Sequence, residues 1–231
     1  MIDGIVFDKD GTLFDFRKSW GAWAERLLAD LATDDAHMRQ LAATIGFGPD
    51  THDFTADSPV IAATAPEIAA CLLPFLPDRT LVGLTQTLNE LAEVAVMSEA
   101  VPLEATLLPL KARGLKLGLA TNDSEAPARA HLAAHGVAGH FDYIAGCDSG
   151  HGAKPAPGML LAFARQLRLS PDRVVMVGDS RHDLAAGRAA GMRTVAVLTG
   201  VAGAQELAPY ADAVLPDIGG LGSWIDRLSA G

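Results

Sequence analysis

Two aspartates one residue apart, Asp8 and Asp10, stand in the stretch Phe7-Asp8-Lys9-Asp10-Gly11-Thr12-Leu13. Carboxylates are the hard oxygen ligands that magnesium prefers, with retained waters and a substrate phosphate completing the shell. Asp8 supplies one, and Asp179, in Gly178-Asp179-Ser180-Arg181-His182-Asp183, supplies another. Magnesium relieves the repulsion between a carboxylate and a phosphate dianion. Lys154, in Lys154-Pro155, adds positive charge for phosphoryl oxygens, and the Thr121 hydroxyl in Leu119-Ala120-Thr121-Asn122 offers them hydrogen bonds. Asp10, two residues beyond Asp8, is placed to serve as an acid and then as a base. Gly11 permits the tight turn that so crowded a loop needs.

Taken singly, each segment has an ordinary reading. Asp-x-Asp is commonly a solvated turn. Gly178-Asp179-Ser180 suits a helix N-cap, Thr121-Asn122-Asp123 suits capping of a following helix, and Lys154 suits a surface charge. What joins them is the set of elements that must position them. Residues 2–7 read as a short buried strand ending at Asp8. Strands are predicted at 115–120, 143–145, 173–177 and 194–198, with a weaker one at 213–215. Helices are predicted at 103–113, 125–135, 157–167, 183–190 and 221–228. Such alternation implies a parallel sheet with helices on both faces. In open parallel sheets ligands bind outside the carboxyl ends of the strands, and all four polar segments follow strand ends.

Between the first two strands the texture is different. Trp20, Trp23, Ala24, Leu27, Leu28 and Leu31 recur at helical spacing, and further helices are expected at 35–45, 65–76 and 81–96. A connection holding about 80 residues of helix is far longer than an ordinary crossover. The expected fold is therefore α/β: a Rossmann-like parallel-sheet core, residues 1–14 plus 99–231, with an inserted all-helical cap domain, residues 15–98.

The four segments together resemble the motifs of the haloacid dehalogenase superfamily, and the insert after the first motif is similar to the helical-cap branch that includes phosphoglycolate phosphatase-like enzymes. The resemblance covers nearly the whole chain. It implies a magnesium-dependent phosphatase acting on a small phosphorylated metabolite, with phosphoglycolate a substrate by analogy. It implies that Asp8 attacks phosphorus to form an aspartyl-phosphate. Asp10 would protonate the leaving alcohol and then activate water, its main-chain carbonyl binding magnesium. Thr121, Asn122 and Lys154 would hold the phosphoryl group, Asp179 would bind magnesium, and Asp183 would support the metal shell or orient Lys154. Dehalogenases of the superfamily lack an aspartate at the position of Asp10, and its sugar-phosphate mutases often carry Val where Thr12 stands. A phosphotransferase or phosphomutase, and a non-catalytic binding module on the same fold, are the competing readings.

Substrate choice falls to the cap. Arg17 and Lys18 are candidates for a second anionic group, and Arg39, His52 and Ser58 for a specificity loop. Trp20 and Trp23 read as cap core, His131 and His135 as surface histidines, and His151 and His182 as neighbours of the catalytic face. The wider composition is consistent with this. Of 231 residues, 49% are apolar, and 18 basic against 28 acidic residues give a net charge of −10, which disfavours nucleic-acid binding. The most apolar stretch, 59–77, is broken by Glu67 and prolines and suits no membrane span. The two cysteines read as reduced thiols packed as small apolar residues. With no secretory leader legible, a cytoplasmic monomer or homodimer is expected.

Overall fold

Short aliphatic runs become buried strands, and the longer amphipathic stretches become the helices that cover them. The computed structural model describes residues 1–230. Strand β1 (Gly4–Phe7) is buried along its whole length. The chain then enters the insert: α1 (Phe16–Leu31), α2 (Asp35–Thr44), a small hairpin of β2 (Phe47–Gly48) and β3 (Asp53–Phe54), α3 (Ala65–Leu72) and α4 (Leu81–Glu93). It returns through α5 (Leu103–Ala112), β4 (Lys116–Ala120), α6 (Glu125–Ala134), β5 (Tyr143–Ala145), α7 (Gly158–Gln166), β6 (Val174–Gly178), α8 (Arg181–Ala189), β7 (Arg193–Val197), α9 (Ala204–Leu207), β8 (Ala213–Leu215) and α10 (Leu221–Ala230).

Among the described residues the main sheet has six strands in the order β5-β4-β1-β6-β7-β8, all parallel. The first strand in sequence is thus internal: Gly4–Phe7 pairs with 116–119 on one side and 174–177 on the other. Parallel strands carry helices on both faces, and the alternation of side chains shows it. Ile5 and Phe7 join the core shared with α5, α6 and the insert, whereas Val6 and Met176 join Met159 and Phe163 of α7 and Ala186 of α8. Phe163 lies close over Gly118, where an added Cβ would sit 2.5 Å from the ring.

The insert has its own apolar seam. α1 buries Trp20, Trp23, Ala24, Leu27, Leu28 and Leu31 at the expected spacing, against Ile68 and Leu72 of α3 and Leu84 and Leu88 of α4. The two chain crossings run side by side: the Asp15 amide donates to the Ser98 carbonyl at 2.8 Å, and the Ala100 amide to the Leu13 carbonyl at 2.9 Å. The β2–β3 hairpin is a departure from an entirely helical insert. It is pinned by the Phe47–Phe54 pair, with ring centroids 5.1 Å apart. Cys71 and Cys147 are both free, and Cys71 is exposed rather than packed. Among the described residues no helix is long and apolar enough to cross a membrane.

Candidate active site

β1 delivers Asp8 to the carboxyl edge of the sheet, where the Asp8 amide still donates to Val177 of β6 at 2.8 Å. The loop then folds back on itself. The Leu13 amide donates to the Lys9 carbonyl at 2.9 Å and the Gly11 amide to the Phe14 carbonyl at 2.7 Å, while the Thr199 hydroxyl, beyond β7, donates to the Gly11 carbonyl at 2.6 Å. Gly11 sits at φ +81°, a left-handed conformation that favours glycine. Its absent side chain leaves room for Asp179, since a Cβ there would lie 2.3 Å from the Asp179 carboxylate.

Three carboxylates converge behind that glycine. Oxygen atoms of Asp8, Asp179 and Asp183 lie within 4.8 Å of one another, and all three residues are buried. Lys154 Nζ bonds Asp8 and, at 2.7 Å, Asp183. The other Asp183 oxygen closes the first turn of α8, accepting from the Ser180 amide at 3.0 Å and the Ser180 hydroxyl at 2.6 Å. Ser180 is thus the N-cap of α8, and the capping reading of this segment holds together with a site role.

Burial pushes Asp8 up to about 7; Lys154 opposes the rise and the Asp183 and Asp10 carboxylates add to it. Burial, and then Asp183 and Asp8, raise Asp179 well above the ordinary carboxylate range. Burial alone would depress Lys154, but Asp183 and Asp8 more than offset it and hold its ammonium above the lysine norm. Three carboxylates facing one ammonium leave a deficit of positive charge in a buried site, which is costly unless it is compensated. An all-oxygen donor set of this kind suits a hard divalent cation.

Thr121, at the end of β4, is buried and its hydroxyl oxygen accepts the Asp123 amide at 3.1 Å, which leaves the hydroxyl hydrogen to donate elsewhere. Asn122, expected to contact phosphate, has its side chain committed to protein. Its carbonyl accepts the Lys154 amide at 2.8 Å, and its NH2 group donates to the Lys154 carbonyl at 3.0 Å and, across to the insert, to Ala62 at 2.8 Å. Asp10 lies outside this close trio of carboxylates and lines the same cavity, accepting the Trp20 indole N–H of α1 at 2.8 Å and pairing with Lys9 Nζ at 3.0 Å.

Sequence reasoning missed the part that Lys9 and His131 play here, and the bond from Trp20 to Asp10. Lys9 has no exposed surface and reaches Asp10, Asp123 at 2.7 Å and His131 Nδ1 at 3.0 Å. Strand parity was the available signal. Continued two residues past Phe7, the alternation of residues 5 and 7 would put Lys9 on the same face, and there a lysine needs partners, although β1 itself ends at Phe7. His131 is a correction: it is buried, not a surface residue, and its Nε2 meets the Ala92 carbonyl at 2.7 Å. His135 is half-buried and bonds the Met97 carbonyl at 3.1 Å. Trp20 and Trp23 belong to the cap core as expected and also face the cavity. Arg17 pairs with Asp53, His52 with Glu25 and Lys18 with Asp15, while Ser58 is buried and bonds the Ile45 carbonyl. None of these four, nor Arg39, is on the cavity wall; His182 is, and His151 lines a different hollow.

The family model of the haloacid dehalogenase-like hydrolases matches residues 2–191. A phosphoglycolate phosphatase of Rhodospirillum rubrum is 31% identical over 252 residues, covering 100% of this chain and 96% of its own. That of Escherichia coli K12 is 31% identical, covering 86% and 82%. Among solved structures, CbbY from Rhodobacter sphaeroides in complex with phosphate aligns at TM-score 0.73 and 23% identity, covering 96% of this chain and 97% of that one. The β-phosphoglucomutase of Clostridium difficile aligns at TM-score 0.67 and 20% identity, covering 98% and 96%. At those identities the structural likeness shows the fold alone.

Proposed function

The chain belongs to the haloacid dehalogenase-like hydrolases, and we propose that it is a magnesium-dependent phosphatase that hydrolyses a small phosphorylated metabolite through Asp8. The observation that carries this is the meeting of Asp8, Asp179, Asp183 and Lys154 at one strand edge, with Asp10 held separately two residues on. Magnesium would be held by Asp8 and Asp179 with Asp183 beside them, and its chemistry there would be to offset negative charge as a carboxylate meets a phosphate.

The Asp8 carboxylate attacks phosphorus, an Asp8–phosphorus bond forms, and the ester P–O bond breaks. Asp10 gives its proton to the departing alkoxide. Burial raises its pKa, although Lys9 opposes this, and that supports a proton resident on Asp10 before the step. In the second step Asp10 takes a proton from water, the water oxygen bonds phosphorus, and the Asp8–phosphorus bond breaks, which releases inorganic phosphate and restores the Asp8 carboxylate and the protonated Asp10. Lys154 and the free hydrogen of Thr121 hold the phosphoryl oxygens. We assign Asn122 to holding the Lys154 backbone rather than to phosphate itself. We assign residues 15–98 to the cap and 1–14 with 99–231 to the core, a division supported by the paired crossings at Asp15–Ser98 and Leu13–Ala100.

The test is release of inorganic phosphate from a panel of phosphorylated metabolites with magnesium, phosphoglycolate included because relatives bear that name. Release is expected from the wild type and at least about 1,000-fold less from Asp8→Asn. Isomerisation of a sugar phosphate without phosphate release would favour the mutase reading instead, and equal activity in Asp8→Asn would overturn the catalytic one.

A further inference from the structure

The cavity between the insert and the strand edge is lopsided in its chemistry. Its floor holds the carboxylates and Lys154. Its cap side is apolar, formed by Trp20, Trp23, Val60, Ile61, Ile68 and Leu88 together with several alanines. This upper wall is what the insert presents opposite the carboxylates and Lys154. The polar side-chain groups that the insert contributes are the Asn89 amide and the indole nitrogens of Trp20 and Trp23. Trp20 gives its N–H to Asp10, and Trp23 Nε1 is buried with no partner among the described residues.

Positive charge is what this wall lacks. Among the described residues, the basic side chains lining the cavity are Lys154 and His182. Lys154 is committed to Asp8 and Asp183. His182 faces Glu67 of α3, whose carboxyl it helps to hold low, after the larger effect of the hydrogen bonds from Thr64. Lys9 lies beneath the wall and is answered by Asp10 and Asp123, both of which face the cavity. A carboxylate or second phosphate on the leaving group would therefore be buried against apolar side chains and two aspartates with no counter-ion. Desolvation without a partner disfavours that strongly.

Resting on the phosphatase reading above, we infer that this enzyme selects phosphomonoesters of small, uncharged, largely apolar alcohols and discriminates against leaving groups that carry a second negative charge, phosphoglycolate among them. The apolar wall takes the carbon skeleton, and the Trp23 N–H and the Asn89 amide serve an uncharged oxygen where the alcohol has one.

Isobutyl phosphate and phosphoglycolate are matched in length and branching, two methyls against two carboxylate oxygens, so they isolate the charge, and ethyl phosphate is the smaller apolar control. With purified full-length protein and magnesium, kcat/KM for ethyl and isobutyl phosphate is expected to exceed that for phosphoglycolate by on the order of 100-fold, the scale on which a site rejects a group that it leaves unpaired. Asn89→Lys puts a cation on the wall and is expected to shift the ratio toward phosphoglycolate by about tenfold or more. Phosphoglycolate turned over as well as or better than ethyl phosphate by the wild type would overturn the inference, and so would a ratio unmoved by Asn89→Lys in a folded variant. No release from any ester above the Asp8→Asn blank would instead overturn the phosphatase reading beneath it.

Discussion

Lys9 is the side chain that pairs with Asp10, at 3.0 Å. It is fully buried, and burial alone would depress its pKa, but Asp10 and Asp123 raise it and keep it charged. Removing one partner of a buried charged pair leaves the others uncompensated, so Lys9→Met is expected to lose about 3–5 kcal/mol by denaturant titration. The exposed Arg17–Asp53 pair gives the contrast: Arg17→Met is expected to change stability by about 1 kcal/mol or less in the same titration. His131 adds a pH signature. Burial first, and then Lys9, lower it to about 4 from an ordinary 6.5. Between those values the unfolded chain binds a proton that the folded chain refuses, so stability falls as pH falls through that window. His131→Gln should make the decline shallower, seen as a smaller loss of unfolding free energy between pH 7 and pH 4.5 than in the wild type. These residues were hard to foresee for a physical reason. Motif spacing marks groups at a strand's end, whereas Lys9 and His131 come together only when α6 and the insert pack on the same face of β1. Asp8, Asp179, Lys154 and Thr121 were legible because each follows a strand, and parallel topology gathers strand ends by itself.

At the level of elements, the glycines under close packing carry sharp expectations. Gly118→Val drives a branched side chain into Phe163 of α7, where the Cβ alone already lies 2.5 Å from the ring. Overpacking of this kind should cost about 1–3 kcal/mol, read as a lower denaturation midpoint with an unchanged slope. Apart from the one-turn helix α9, which no sequence pattern announced, the strands and core helices were legible to within a residue or two, because aliphatic runs alternating with amphipathic ones leave little choice. The insert was less so. The sequence pattern implies helix through Val96, yet α4 ends at Glu93 and leaves Val94 and Val96 exposed. The two-residue strands of the β2–β3 hairpin are too short to impose any period, so that stretch reads as a bare connection. The order of the strands has no local signature either, since it is decided by which neighbour each edge meets.

For the whole molecule, the deficit of positive charge at the strand edge links metal to stability. A cation that binds only the folded chain raises its stability by about 2.7 kcal/mol at a hundred times its dissociation constant. Magnesium is therefore expected to raise the melting temperature of the wild type over an EDTA control, and Asp179→Asn should abolish most of that rise. Because binding needs ionised carboxylates and Asp8 lies at about 7, the magnesium-induced rise should shrink as pH falls below 7 and grow above it. A thermal melt at pH 6 and pH 8 measures this directly.

The central position of β1 also has a consequence in time. Its two edges are filled by β4 and β6, and both are made long after it. At about 5–20 residues per second, the ribosome finishes β4 several seconds after β1 and β6 later still. Throughout that interval the nascent chain carries an aliphatic strand with both edges unsatisfied, while the helices of the insert, whose contacts are local, are free to form. β1 is thus enclosed only after strands made much later than itself, and it is a segment that a chaperone bound in that interval would shield.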